Sequence, residues 1–178
     1  MASFPSTPLL DDFQRRDNHT LGSRYAVISG YYSLAIMGRA AAAMAGVPAF
    51  NVWRIKYRVN QQVWVQIKDG DNVERVWLAV RLNSVTPTDG YLCVIAPGTP
   101  HWQGTLYRWG GTTPLYAPLS LGVSALASGD LLGLDAHDRQ LTLWYGATSG
   151  AAAAVGTWTD AGLLERGYIG IGAQAKLS

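Results

Sequence analysis

The stretch QVWVQIKDGDNVERVWLAVRL, residues 62–82, alternates apolar and polar side chains on both sides of a turn-forming centre. Successive side chains of an extended chain point to opposite faces, so Val63, Val65 and Ile67 share one face while Trp64, Gln66 and Lys68 share the other. The second half repeats the pattern, with Val76, Leu78, Val80 and Leu82 opposite Arg75, Trp77, Ala79 and Arg81. LTLWYG, residues 141–146, does so again, setting Leu141, Leu143 and Tyr145 against Thr142 and Trp144. Between the first two runs lies Asp-Gly-Asp-Asn, whose residues tolerate the positive φ of tight turns. The stretch therefore predicts a hairpin of 62–68 with 74–82 that brings Trp64 and Trp77 opposite or diagonal to each other, away from an aliphatic core.

The same period runs through the chain. Further strands are expected at 10–14, 24–28, 31–37, 50–59, 90–96, 104–109, 114–117, 130–136, 140–146, 154–158 and 167–174. WGGTTP is read as the turn joining 104–109 with 114–117, and AHDRQ as the turn joining 130–136 with 140–146. Two Ala-rich segments, GRAAAAMAGV and GAAAAV, invite a helical reading, but alanine alone does not supply a wide apolar face and glycine bounds both. So many short strands predict an all-β fold, two antiparallel sheets stacked as a sandwich. No linker divides the chain: residues 1–9 are expected to form an extended N-terminal arm and 10–178 a single sandwich domain, the arm because its prolines resist helix and central-strand pairing.

Composition excludes several functions. Charged residues are 15% of the 178 and the formal net charge is +2, too little for a surface built on phosphate neutralisation, so no nucleic-acid partner is expected. No run approaches the roughly 20 apolar residues of a membrane span, and MASFPSTPLL has neither the basic nor the apolar region of an export signal, so membrane insertion is not expected and synthesis in the cytoplasm is. The single cysteine, Cys93, lies in the apolar run GYLCVIAPG and reads as a buried strand thiol.

No catalytic residues are expected. Glycoside cleavage on a sandwich of this kind needs paired carboxylates, and an E-x-D-x-x-E spacing on one strand would supply them. That spacing is absent, and the only glutamates, Glu74 and Glu165, are far apart in sequence. His19, His101 and His137 lie in turn-like stretches without a second ligand at metal spacing, so no transition metal is expected. Asp11 with Asp12, or Asp69 and Asp71 with Asn72, offer hard oxygen ligands for calcium, although Asp-rich turns also form without metal. No other cofactor is indicated. The aromatic set has two readings. Trp64, Trp77, Trp102 and Trp144, with Gln66 and Arg75 beside them, are either covered by a loop, a further layer or a neighbouring subunit, or form a platform on which sugar rings stack. His101 and Trp102 of GTPHWQG add a tip able to serve either a ligand or a partner.

LLDDFQRRDNHTLGSRYAVISGYYSLAIMGRA, residues 9–40, resembles the N-terminal block of concanavalin A-like, laminin G-like sandwich domains. VWLAVRLN, GYLCVIAPG, TLYRWGG, GDLLGLDAHDRQLTLWYG and GYIGIGA follow in the family's order, so the likeness covers about 9–174. It departs from the family at Tyr25, where tryptophan is usual, and at Gln14-Arg15-Arg16, where an NRA step is expected. The resemblance implies a concanavalin A-like jelly roll and a ligand-binding or structural module. Freestanding copies with such an N-terminus resemble virion proteins of tailed phages that infect actinobacteria. The expected role is then a non-enzymatic accessory protein on the particle, a capsid decoration or tail-associated subunit held in a homo-oligomer or lattice. Phe4, Pro5 and Pro8 of the arm would contact other virion subunits, and release by lysis would account for the missing export signal. The alternative is a stand-alone carbohydrate-binding module that adheres to host cell-wall glycans.

Overall fold

Alternation gives each strand one aliphatic face, and two sheets close around those faces. The computed structural model describes residue 18 and residues 20–37, 40–148, 151–159, 162 and 166–177. Among these every helix or strand is a strand: β1 (Tyr25–Val27), β2 (Ala35–Met37), β3 (Ala40–Ala42), β4 (Ala49–Trp53), β5 (Gln61–Gln66), β6 (Val73–Leu82), β7 (Tyr91–Ala96), β8 (Gln103–Arg108), β9 (Leu119–Ser120), β10 (Leu131–His137), β11 (Gln140–Gly146), β12 (Ala153–Thr159) and β13 (Tyr168–Ala175). Seven form one sheet in the order β1-β4-β13-β6-β7-β8-β9, four form a second in the order β12-β11-β10-β5, and β2 pairs with β3 alone. The architecture is the expected all-β sandwich. The arm at 1–9 and the strand expected at 10–14 lie outside the described residues.

From the four-stranded sheet, Val63, Leu132, Leu134, Ala136, Leu141 and Leu143 point inward; from the other, Val76, Leu78, Val80, Tyr91, Cys93, Ile95 and Leu106 meet them, all at 4% exposure or less. At Gly104 the side chain of Leu143 from the other sheet comes close to bare backbone, and an added Cβ there would lie 2.3 Å from its Cδ2. Glycine leaves the space that this leucine fills.

The hairpin expected at 69–72 does not form. β5 pairs with β10, and β6 pairs with β13 and β7, so the two runs of the opening stretch belong to different sheets. Residues 67–72 instead arch from one sheet to the other: the Ile67 N–H donates to the Asp130 carbonyl at 2.8 Å and the Gly129 N–H to the Ile67 carbonyl at 2.7 Å, extending the pairing of β5 beyond its end. The reason is geometric, since two strands that each carry aliphatics on one face bury them equally well side by side or face to face. Trp64 and Trp77 consequently sit on opposite outer sides of the sandwich. The AHDRQ turn does join β10 to β11, with Asp138 at φ 48°. The WGGTTP segment closes only as a bridge from Tyr107 to Pro114, and the strand that follows is Leu119–Ser120 rather than 114–117. The strand expected at 50–59 ends at Trp53, and the first Ala-rich segment supplies β3.

The seven-stranded sheet is covered on its outer side as well. Phe50, Val52, Trp77, Ala79, Leu82 and Ile28 make a second buried cluster there, with Tyr31, Leu92, Val94 and Trp109 packed on it. Gly172 stands beside both Phe50 and Trp77 in the ladder, and an added Cβ on Gly172 would lie 2.5 Å from Phe50 Cδ2 and 2.7 Å from the Ala49 carbonyl. At the end of β6 the pairing with β13 slips between Tyr168 and Gly170, and Arg81 adopts a φ of 55°. That bulge breaks the alternation. Arg81, expected beside Trp77 on the outer face, is instead 2% exposed: its Nε donates to the Val59 carbonyl at 3.1 Å, its Nη2 to the Asp138 carbonyl at 2.5 Å, and its main-chain N–H to Gln61 Oε1 at 2.7 Å. It clasps the end of one sheet to the other.

Gly172→Ala is expected to destabilise the fold by roughly 1–3 kcal/mol, because one contact is with main chain and cannot swing away. A urea titration should show the midpoint fall with little change in slope.

Candidate functional site

A cleft of about 350 Å³ opens on the outer side of the seven-stranded sheet. Its aromatic walls are Tyr31 and Trp109, with Leu92 of β7 between them and Pro87 and Ile28 alongside. Both rings rest on Phe50: the Tyr31 centroid is 5.7 Å from it, and that of Trp109 is 5.3 Å away at an interplanar angle of 61°. Tyr31 also meets Trp77 edge-on at 6.3 Å. Trp109 reaches this position because the chain leaves β8 at Arg108 and turns at Gly110, whose φ is +74°. The other wall is carried by the β6–β7 connection, residues 83–90.

That connection is tied down by polar bonds. The Asn83 Oδ1 accepts the Thr88 and Asp89 N–H groups at 3.1 and 3.3 Å, and the Asp89 carboxylate takes Arg108 Nε and Nη2 at 2.5 and 2.9 Å. The Arg108 bond holds the Asp89 carboxyl below its usual range, partial burial opposing and the Gly90 N–H helping. Ser29 and Thr86 line the cleft at exposed positions, and neither hydroxyl is bonded to another described side chain. Two aromatic faces, an apolar floor and free hydroxyls with no charged group among the lining residues suit a ligand that is apolar on its faces and hydroxylated at its edges.

The six residues singled out as a platform are divided by the fold. Trp64 and Trp144 lie in one ladder row on the outer face of the four-stranded sheet, each paired with Gly133 and therefore two strand spacings, about 10 Å, apart. Both are half-buried. Gln66 lies on the same face of β5, its Nε2 donating to the Gly129 carbonyl at 3.2 Å. Asp135, Thr142 and Thr157 form the next row, where burial pushes the Asp135 carboxyl up against the opposing charges of His137 and Arg81. Trp77 is 7% exposed beneath Tyr31, so a covering segment, one of the two readings above, accounts for it. Arg75 is exposed at the far end of β6, with its Nε 4.0 Å from Glu74 Oε1. Trp102 corrects the expectation of a tip that meets a ligand or a partner: it is 4% exposed within the main core, its main-chain N–H donating to the Val123 carbonyl and its carbonyl accepting the Leu121 N–H, each at 2.8 Å. Phe4, Pro5 and Pro8 lie outside the described residues.

Tyr31 and Trp109 stand at the ends of the expected strands 31–37 and 104–109, where side-chain parity does not say which face a residue meets once the chain turns. The only local signal was the pairing of an indole with Gly110-Gly111, which lets the chain fold back over the sheet.

Cys93 is fully buried, which pushes its thiol up to about 12. Among the described residues no three His, Cys, Asp or Glu side chains come together in a group able to hold a metal. Asp69 accepts Asn72 Nδ2 at 2.6 Å, and Asp71 gives its carbonyl to Lys176 Nζ at 2.6 Å. The other calcium candidates, Asp11 and Asp12, lie outside the described residues, as do His19 and Glu165.

No family model matches the chain, and no curated protein is similar to it in sequence. Among solved structures, the carbohydrate binding module CBM66 from Bacillus subtilis is similar in fold, with a TM-score of 0.53 and 12% identity over 89% of this chain and 95% of that one. The two share a β-sandwich.

Because Arg108 depresses the Asp89 pKa from 3.8, the pair stabilises the β6–β7 connection above the ordinary carboxylate range and is lost as the pH falls through the lowered value. Wild type and Asp89→Asn should therefore differ in thermal midpoint near neutral pH and converge only as the pH falls below the ordinary carboxylate range and through the lowered value. Melting curves across that range check it.

Proposed function

We propose that this chain is a non-catalytic carbohydrate-binding module that takes a sugar in the cleft between Tyr31 and Trp109. The observation that carries the reading is the pair of rings seated on Phe50 with the Ser29 and Thr86 hydroxyls beside them. Pyranose faces are apolar and their edges are hydroxyls, so aromatic walls with neutral polar groups match both. A volume of about 350 Å³ suits one or two sugar units. The fold shared with a carbohydrate binding module supports the reading. The missing E-x-D-x-x-E pattern supports its non-catalytic part.

A second reading, an accessory subunit on a tailed phage particle, keeps support from the sequence resemblance and from exposed apolar side chains. Tyr32 and Met44 are each 61% exposed, Ile55 is 56% and Leu177 81%, apolar surface that subunit contacts would cover. The two readings are compatible, since a virion subunit can carry a glycan site. Mass spectrometry of purified particles tests the second.

A glycan array followed by titration calorimetry tests the first. Trp109→Ala is expected to weaken binding of the best sugar roughly tenfold, and Tyr31→Ala by a similar factor, while Trp64→Ala leaves it unchanged. The reverse pattern would move the site to the four-stranded sheet, and an array without any bound glycan would refute the reading.

A further inference from the structure

At the end of the seven-stranded sheet that carries the cleft walls, the fold sets cations against one another. β4 and β13 are antiparallel, so Arg54, just after the last residue of β4, and Arg166, just before Gly167 and β13, lie at the same end. The β6–β7 connection with Thr86 and Pro87 leaves from that end too, because Leu82 pairs with Tyr168. Tyr25 pairs with Trp53, which places Arg24 opposite Arg54, and the Arg54 N–H donates to the Arg24 carbonyl at 2.9 Å. Tyr57 bridges Gly167 through bonds of 2.7 and 3.2 Å, which places Arg58 opposite Arg166. These are two cross-strand pairs of like charge, with Lys56 between them.

Directly opposed like charges destabilise a sheet, and chains usually relieve them with an acid. Here they are not relieved among the described residues. All five side chains are exposed; Arg54 Nε donates to the Tyr25 carbonyl at 3.0 Å, and none of the five is in an ion pair with a described carboxylate. Asp89, at the same end, is committed to Arg108. Among the described residues, five exposed cations are thus gathered at one end of the sheet.

We infer that the ligand is a polyanionic glycan, one carrying phosphate or carboxylate groups along its length, with a sugar in the Tyr31–Trp109 cleft and its anionic groups on the strip formed by Arg24, Arg54, Lys56, Arg58 and Arg166. This rests on the carbohydrate-binding reading and adds the class of glycan. β13 and β7 are two strand spacings apart in the sheet, about 10 Å, so a few linked sugars reach from cleft to strip.

The test is equilibrium binding of the full chain to four immobilised polymers: a poly(glycerol phosphate) glycan, polygalacturonate, neutral dextran and duplex DNA, each at about 50 and about 200 mM salt. The variant is Lys56→Gln with Arg58→Gln and Arg166→Gln, which leaves the Arg54 bond intact, and its thermal midpoint should match wild type. The expected result is salt-sensitive binding to one or both anionic glycans, weakened at least tenfold in the variant, with the phosphate and carboxylate arms telling which group is read. Binding to the anionic glycans that salt and the variant leave unchanged overturns the inference. So does DNA binding as tight as either glycan, which would make the strip a nucleic-acid surface. Binding of dextran alone, lost in Trp109→Ala, overturns the inference while keeping the carbohydrate reading; no binding to any glycan removes both.

Discussion

The ring of Phe50 lies against bare backbone at Gly170 and Gly172, and much of this protein follows from that contact. Added Cβ atoms at the two glycines would fall 2.6 and 2.5 Å from the ring, so any side chain on this stripe of β13 would lift the phenylalanine away. With the ring held down, the outer side of the seven-stranded sheet becomes an apolar layer in place of a solvated face. Tyr31 and Trp109 then have something to rest on, and the space between them becomes a cleft. A sandwich with the same two sheets but a side chain at Gly172 would lose the floor of its site.

Polar groups inside the sandwich are spent on holding loops. Asp130, 2% exposed, accepts the N–H groups of Ala127 and Thr148 at 2.8 and 3.1 Å and the Tyr145 hydroxyl at 3.0 Å. That hydroxyl is pushed up to about 12, first by burial and then by the carboxylate beside it. Arg81 satisfies main-chain carbonyls at the opposite end of β10. A buried charge without partners is costly, and here the Asp130 carboxylate and the Arg81 guanidinium each have hydrogen-bond partners. What remains for recognition is aromatic faces, free hydroxyls and the cations at one end.

Much of the fold was legible because strand alternation is a local property. Val63 and Val65, or Leu141 and Leu143, share a face whatever their neighbours, and the AHDRQ turn needs only residues that tolerate positive φ. The ends of strands were less legible. At Arg81 the alternation breaks because β13 slips by a residue, and at Trp53 the strand stops, both consequences of pairing with distant chain.

The site was the least legible part. Sequence alone determined that the aliphatics of successive strands face a common interior and that Trp64 and Trp144 lie away from it, since side-chain parity is set within each strand. Tertiary structure decided which strands are neighbours and which stand face to face, and with that it sent Trp64 and Trp77 to opposite sides, drew Trp102 into the core and seated Tyr31 and Trp109 on one ring. The physical reason is that burying an apolar face is non-directional: the energy is the same whichever sheet covers it, so only the packing of the whole chain selects the partner.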